Sequence, residues 1–275
     1  MNQDRVGILV MELRGIKEAL EASVIAGADW LNGEIEHVYA SDLMSDVLAF
    51  GEPNSVLLTG LATQQAVISA HMAAFKGVVF VRGKRPKDTS ERYALDNHLV
   101  LMSSTLDMYD ACIRIEFPQS RACAGPADAG HEPKAGAILL HKEFVVRGGD
   151  FAEAGLVSTE VKSLLKKIGF NPGLVRRVAI CTYEGELNVV MHARKGKVHL
   201  TVAPDVISVG IDDEGKGIPD VGLAMQQGFT TATEEMRAMG FGSGMGLPNI
   251  KNNSDELKII SEVNKGTTLR MRFLT

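Results

Sequence analysis

The sequence predicts an α/β protein in two domains, and three observations predict it. In the first half, short wholly apolar runs alternate with segments of helical length, as in parallel strands covered on both faces. Residues 118–137 (PQSRACAGPADAGHEPKAGA) hold twelve Ala, Gly or Pro among twenty, with no β-branched, aromatic, Leu or Met residue to feed a core. In the second half, a long helical pattern at 172–195 is followed by a strand pattern at 206–211 and a glycine-rich helix start at 240–247. The chain has 275 residues, which suits one large or two ordinary domains.

The elements follow in order. Residues 11–25 read as a helix. SVLLT (55–59), GVVFV (77–81) and LVLM (99–102) read as strands, because they are apolar throughout. Residues 63–75, 87–97 and 106–115 have helical length and lie between or after them. This alternation predicts a parallel sheet inside a three-layer α/β/α domain. Thr59, Gly60, Arg82, Gly83 and Lys84 then fall at strand carboxyl ends, where parallel sheets place ligand crevices. Arg82, Lys84 and Arg85 could hold an anion there, but a short basic cluster is more often a solvated turn.

VYASDLMSDVLAF (38–50), SVLLTGLATQQ (55–65), GVVFVRGKRP (77–86) and LVLMSSTLDMYDA (99–111) together resemble the DRTGG domain, related to the amino-terminal domain of bacterial HPr kinases. The likeness covers roughly residues 1–117 and implies a regulatory domain that dimerises or senses a ligand. Residues 118–140 then form a linker and 141–275 the second domain.

The chemistry begins at the helix predicted over 172–195. Asn171-Pro172 suits its start, an Asn cap followed by Pro at the first helical position. Glu184, Asn188 and His192 recur every four residues and stack along one face. A carboxylate and an amide on one face can serve as base and metal ligand together, although such spacing also occurs on solvated helix faces. Glu186 is a rival base but points away from the Asn188 face. A second box, DEGKGI (213–218), follows the strand VISVGI (206–211), and its glycines let the backbone turn tightly against a ligand. A third box, GFGSGMGL (240–247), opens a helix with alternate glycines whose N–H groups can cradle phosphates. Its spacing fits neither a dinucleotide fingerprint nor a Walker A loop. KGTTL (265–269) opens a last strand.

These four boxes in this order, the first three stepping by 29 residues from 184 to 213 to 242, resemble the GHKL ATPase fold over residues 141–275. The pairing of Asn188 with His192 and the string GFGSGMGLPNIK (240–251) are similar to the anti-sigma regulatory factor type of serine/threonine kinase. The resemblance implies a two-layer α/β sandwich, the Bergerat fold, with a mixed, mainly antiparallel sheet. It implies ATP and Mg²⁺ as cofactors. Asn188 would bind Mg²⁺ and Glu184 would be the general base. Asp213 would accept from the adenine amino group, with Gly217 close to the base and Thr267 assisting there, and His192, Gly215 and Ile218 would also bind the nucleotide. Gly242, Ser243, Gly244, Met245, Gly246 and Leu247 would line the phosphates. Residues 219–239 would be a lid, with Gln226, Gly228, Thr230 and Thr231 suited to a mobile loop.

The resemblance implies transfer of the γ-phosphate to a regulatory protein partner, anti-anti-sigma-like or sigma-like, and a homodimer. The alternative is a non-catalytic module in which ATP gates protein capture. A net charge of −5 argues against direct nucleic-acid binding. The three cysteines, Cys112, Cys123 and Cys181, form no CxxC pair and fit a reducing compartment. No apolar run approaches the ~20 residues of a membrane span, so a cytoplasmic protein is expected.

Overall fold

The computed structural model describes residues 11–115, 139–238 and 241–275. The chain divides into two compact units, Met1–Pro126 and Ala127–Thr275, and the dividing point and residues 118–138 of the expected linker at 118–140 lie outside the described residues. No helix among the described residues is long and apolar enough to cross a membrane.

The first unit runs β1 (Met11–Glu12), α1 (Leu13–Ala19), β2 (Ser23–Ala26), β3 (Glu34–Ile35), β4 (His37–Ala40), α2 (Met44–Phe50), β5 (Ser55–Thr59), α3 (Gln64–Met72), β6 (Gly77–Phe80), α4 (Asp88–Asp96), β7 (Val100–Ser103) and α5 (Met108–Arg114). Its main sheet has the order β2-β7-β6-β5-β4. β4, β5, β6 and β7 pair in parallel, as their apolar runs predict. β5, β6 and β7 are buried at every position because helices cover both faces. On one face Val56, Leu58, Val79, Val81, Val100 and Met102 pack with Leu13, Ile16 and Leu20 from α1 and with Ala111 of α5. α3 and α4 close the other face.

The expected helix over 11–25 is shorter. α1 stops at Ala19, and Glu21 takes a left-handed φ of 48° that turns the chain back. Ser23–Ala26 then joins β7 antiparallel, so the sheet is parallel except at this edge. Val24, Ile25 and Ala26 fit a helical period and a strand equally well, and pairing with Leu101 and Met102 decides between them.

The basic turn is mainly solvated. Arg82, Lys84 and Arg85 are exposed. The Lys84 ammonium donates to the Gly60 carbonyl at 2.5 Å. The Asp42 carboxylate accepts from Thr59 Oγ1 at 2.8 Å and from Gly60 N at 2.5 Å, placing negative charge where an anion would sit.

The second unit runs β8 (Leu140–Arg147), α6 (Leu156–Ile168), α7 (Pro172–His192), β9 (Ala193–Val202), β10 (Val206–Gly215), α8 (Val221–Ala224), α9 (Glu234–Ala238), α10 (Gly246–Asn253), β11 (Glu256–Glu262) and β12 (Gly266–Leu274). The sheet order is β11-β12-β10-β9-β8. Every pairing is antiparallel, so the sheet is not mixed, and it forms one layer of a two-layer α/β sandwich. Alternation sorts each strand. Phe144, Val146, Val198, Leu200, Val209, Ile211, Leu269 and Met271 are buried on the helix side. His141, Glu143, His199, Thr201, Ser208, Asp212 and Arg270 occupy the intervening, outward-facing positions.

Candidate functional site

α7 carries the first group. Its start forms as the sequence predicts: the Asn171 side chain accepts from Gly173 N at 2.8 Å with Pro172 in the first turn. It ends at His192, three residues short of expectation, and β9 begins without a loop. Glu184 lies on its inner face and is 7% exposed. Its Oε1 accepts from Asn249 Nδ2 of α10 at 2.7 Å. Burial pushes its carboxyl up to about 7, and the Asn249 hydrogen bond holds it back only in part. Gly246, the first residue of α10, faces the same spot. A Cβ there would stand 3.3 Å from Glu184 Oε2 and 3.6 Å from Asn188 Oδ1. Glu184 and Asn188 therefore meet at the amino end of a helix, beside backbone where a Cβ would touch both side chains.

Glu186 takes a different part. It is 1% exposed, and its carboxylate accepts N–H bonds from Gly155 at 2.9 Å, Val157 at 3.2 Å and Ser158 at 2.9 Å. It caps the amino end of α6 from a neighbouring helix, where a negative charge is favoured. Burial raises its carboxyl above the usual range and the three N–H groups pull it back. Glu186→Gln would turn an amide donor toward these donors, so a loss of about 1–3 kcal/mol in urea-unfolding stability is expected, with no change in nucleotide affinity.

The second group surrounds Asp213. Its Oδ1 accepts from Gly215 N at 2.8 Å and from Thr267 N at 3.1 Å. Burial raises its carboxyl, these two N–H groups lower it, and neighbouring Asp212 raises it. Thr267 is buried, and its hydroxyl shares a 2.8 Å hydrogen bond with Ser261 Oγ. Ser261 Oγ in turn accepts from Ile218 N at 2.7 Å. Asp213, Gly215, Ile218 and Thr267 are thus joined through Ser261 into one hydrogen-bonded wall. Gly217 completes it with a φ of 68°, and a Cβ there would overlap the Glu262 carbonyl.

The third group is the glycine loop. Gly244 has a φ of 77° and is pressed against Gly228 of the expected lid, whose N–H donates to the Gly244 carbonyl at 3.1 Å. Gly242 lies against the Ala232 methyl in the same way. The segment at 219–238 therefore leans on the loop through its smallest residues, with α8 and α9 inside it. Thr230 Oγ1 accepts from Ala232 N at 3.1 Å, while Gln226 and Thr231 are exposed. Met239 and Gly240, at the end of the lid and the start of the third box, lie outside the described residues. Ser243 is half-buried, Met245 is buried as the cap of α10, and Leu247 follows in its first turn.

His192 does not join Glu184 and Asn188. Two helical turns separate it from Glu184, and its side chain is exposed. Its carbonyl lies beside Gly215, so it borders the Asp213 wall through backbone. The roles of four residues escaped the sequence reading. Asn249 orients Glu184, Ser261 links Ile218 to Thr267, and Glu186 caps α6. Gly266 lets β12 pass against the Asp213 carbonyl.

Residues 150–273 match the family of histidine kinase-like ATPase domains. The chain is similar to the anti-sigma F factor of Caldanaerobacter subterraneus subsp. tengcongensis, 39% identical over 93 residues, covering 32% of this chain and 62% of that protein. It is also similar to the serine/threonine-protein kinase RsbT of Bacillus subtilis, 31% identical over 115 residues, covering 40% of this chain and 79% of RsbT. The chain thus spans about 62% of the length of the first of these relatives. Among solved structures, it is similar to the CBS and DRTGG domains of the regulatory region of Clostridium perfringens pyrophosphatase, complexed with diadenosine tetraphosphate. That likeness has a TM-score of 0.32 and 11% identity, and covers 37% of this chain and 44% of the other.

Proposed function

The chain belongs, through residues 150–273, to the family of histidine kinase-like ATPase domains, and from that premise we propose that it binds ATP with Mg²⁺ and transfers the γ-phosphate to a serine or threonine of a regulatory protein. The observation that carries the reading is the meeting of Glu184 and Asn188 with Gly246 at the start of α10. The pocket fits the groups it would hold. The Gly246 position is a cradle that a Cβ would fill, and it lies between a carboxylate oxygen and an amide oxygen. Oxygen is the ligand Mg²⁺ takes, so Asn188 would hold the ion through Oδ1. Bound Mg²⁺ would supply charge neutralisation along the phosphates.

The chain's own residues supply the rest. The backbone N–H groups from Gly242 to Leu247 and the amino end of α10 favour phosphate. Glu184 would take the proton from the attacking hydroxyl, and a carboxyl poised near neutrality suits a base. Asp213 would read adenine. Its Oδ1 is occupied by the N–H groups of Gly215 and Thr267, which leaves Oδ2 to accept from the adenine amino group. In Asp213→Asn the amide oxygen must turn to those two N–H groups, presenting NH₂ to an amino donor. Calorimetry is expected to show ATP affinity lowered about ten-fold or more, with inorganic phosphate analogues little changed.

Similarity to an anti-sigma F factor and to the kinase RsbT supports this reading, and the proposed partner is sigma-like or anti-anti-sigma-like. Residues 1–117 would be a DRTGG-like regulatory and dimerising domain, 118–140 a linker and 141–275 the ATP-binding domain. Incubating the full chain with γ-labelled Mg–ATP and such partners tests the proposal. Label on a partner hydroxyl residue is the expected result. ATP-dependent capture without label would instead make the chain a gated binding module.

A further inference from the structure

The outward face of the second sheet carries a side-chain cluster that the nucleotide chemistry does not use. His141 and Glu143 are two residues apart on β8 and so share this face. His199 of β9 stands directly opposite Glu143 and diagonal to His141. One nitrogen of each imidazole and one oxygen of the carboxylate lie within 4.8 Å of one another. His199 Nδ1 is 3.2 Å from Glu143 Oε1. Two ligands on a tetrahedral zinc ion, each about 2.0–2.1 Å from the metal, are separated by about 3.3 Å. The present spacing is therefore that of adjacent ligands, with His141 needing only a small shift.

The surrounding contacts resemble those that orient metal ligands. His141 Nδ1 is engaged by Thr201 Oγ1 at 3.0 Å, which leaves Nε2 outward. His199 Nε2 lies 3.2 Å from Asp212 Oδ2, which leaves Nδ1 toward Glu143. Asp212 is itself fixed by Arg270 Nη2 at 2.8 and 3.0 Å and by Thr268 Oγ1 at 2.7 Å. A carboxylate behind a histidine and a hydroxyl behind another fix the ring orientations. Gly210 sits next to His199 on β10, and its missing side chain opens a shallow cleft of about 310 Å³ lined by His141, His199, Asp212 and Arg270.

We propose that His141, Glu143 and His199 bind a divalent transition-metal ion, with Zn²⁺ the ion that suits them best. Two imidazoles and a carboxylate suit borderline ions, whereas Mg²⁺ and Ca²⁺ prefer oxygen sets. Three protein ligands leave a fourth position for water or an exchangeable group. Bound there, the ion ties edge strand β8 to β9.

Zinc titration of the full chain without nucleotide, followed by calorimetry and thermal unfolding, tests this. One Zn²⁺ per chain is expected, with a rise in melting temperature. His199→Gln and His141→Gln should each weaken zinc binding by about ten-fold or more and remove that rise, while exposed His98→Gln should not. Mg²⁺ should not compete. The variants sit at surface positions, so an unchanged circular dichroism spectrum checks that each folds. Absence of zinc binding, or zinc bound equally well by the His141→Gln/His199→Gln double variant, would overturn the proposal.

Discussion

Glu184→Gln is expected to lower phosphoryl transfer by about 10²–10⁴ while the chain still binds Mg–ATP. The substitution is nearly isosteric, and the position is buried between α7 and α10, where shape matters. The amide oxygen can still accept from Asn249, now 2.7 Å from Glu184 Oε1, so the side chain keeps its orientation. What it loses is the ability to take a proton. The wild-type carboxyl, raised to about 7 by burial, is well matched to that task at neutral pH. Nucleotide affinity and turnover, measured on one preparation, separate three outcomes. Binding kept and turnover lost is the signature of a base. Turnover retained would remove the catalytic role and leave Asn188 and Asp213 as binding residues. Loss of both would make Glu184 a packing residue held by Asn249.

How much of this was legible depends on whether the signal was local. The start of α7 was legible, since Asn171 and Pro172 each satisfy a helix terminus by their own chemistry. The four-residue spacing placed Glu184 with Asn188 because helix geometry does so unaided. The same spacing carries His192 two turns beyond Glu184, to the last residue of α7. The end of α7 was not legible. His192 passes into Ala193 with no Gly or Pro between them, and the change to strand is imposed by pairing with β8 and β10. The strand at Ser23–Ala26 was hidden for the same reason. Glu186 could be excluded from the Asn188 face by period, but its partners on α6 are 28 to 31 residues away in sequence. Asn249 and Ser261 act only through tertiary contacts to Glu184 and Thr267, which no spacing rule reports.

The same burial that suits Glu184 to its task has a cost in stability, and the cost depends on pH. Its carboxyl is raised from 4.5 to about 7 in the folded chain. Between those values the folded chain holds a proton that the unfolded chain has released. Raising the pH through this window therefore destabilises the fold, and the contribution present below pH 4.5 is lost once the pH passes about 7. Gln at this position stays neutral throughout. The stability of Glu184→Gln relative to wild type should thus rise by about 3 kcal/mol between pH 4 and pH 8. Glu186 and Asp213 also carry raised carboxyls, but they are common to both proteins and cancel in the difference. Urea unfolding of the two proteins without nucleotide, at several pH values across the window, measures it. A difference that stays flat with pH would mean that water reaches Glu184 and that its proton is not held by burial. A difference rising toward neutral pH would show that the fold gives up stability to keep this carboxyl poised for proton transfer. The slower variant would then also be the more stable one.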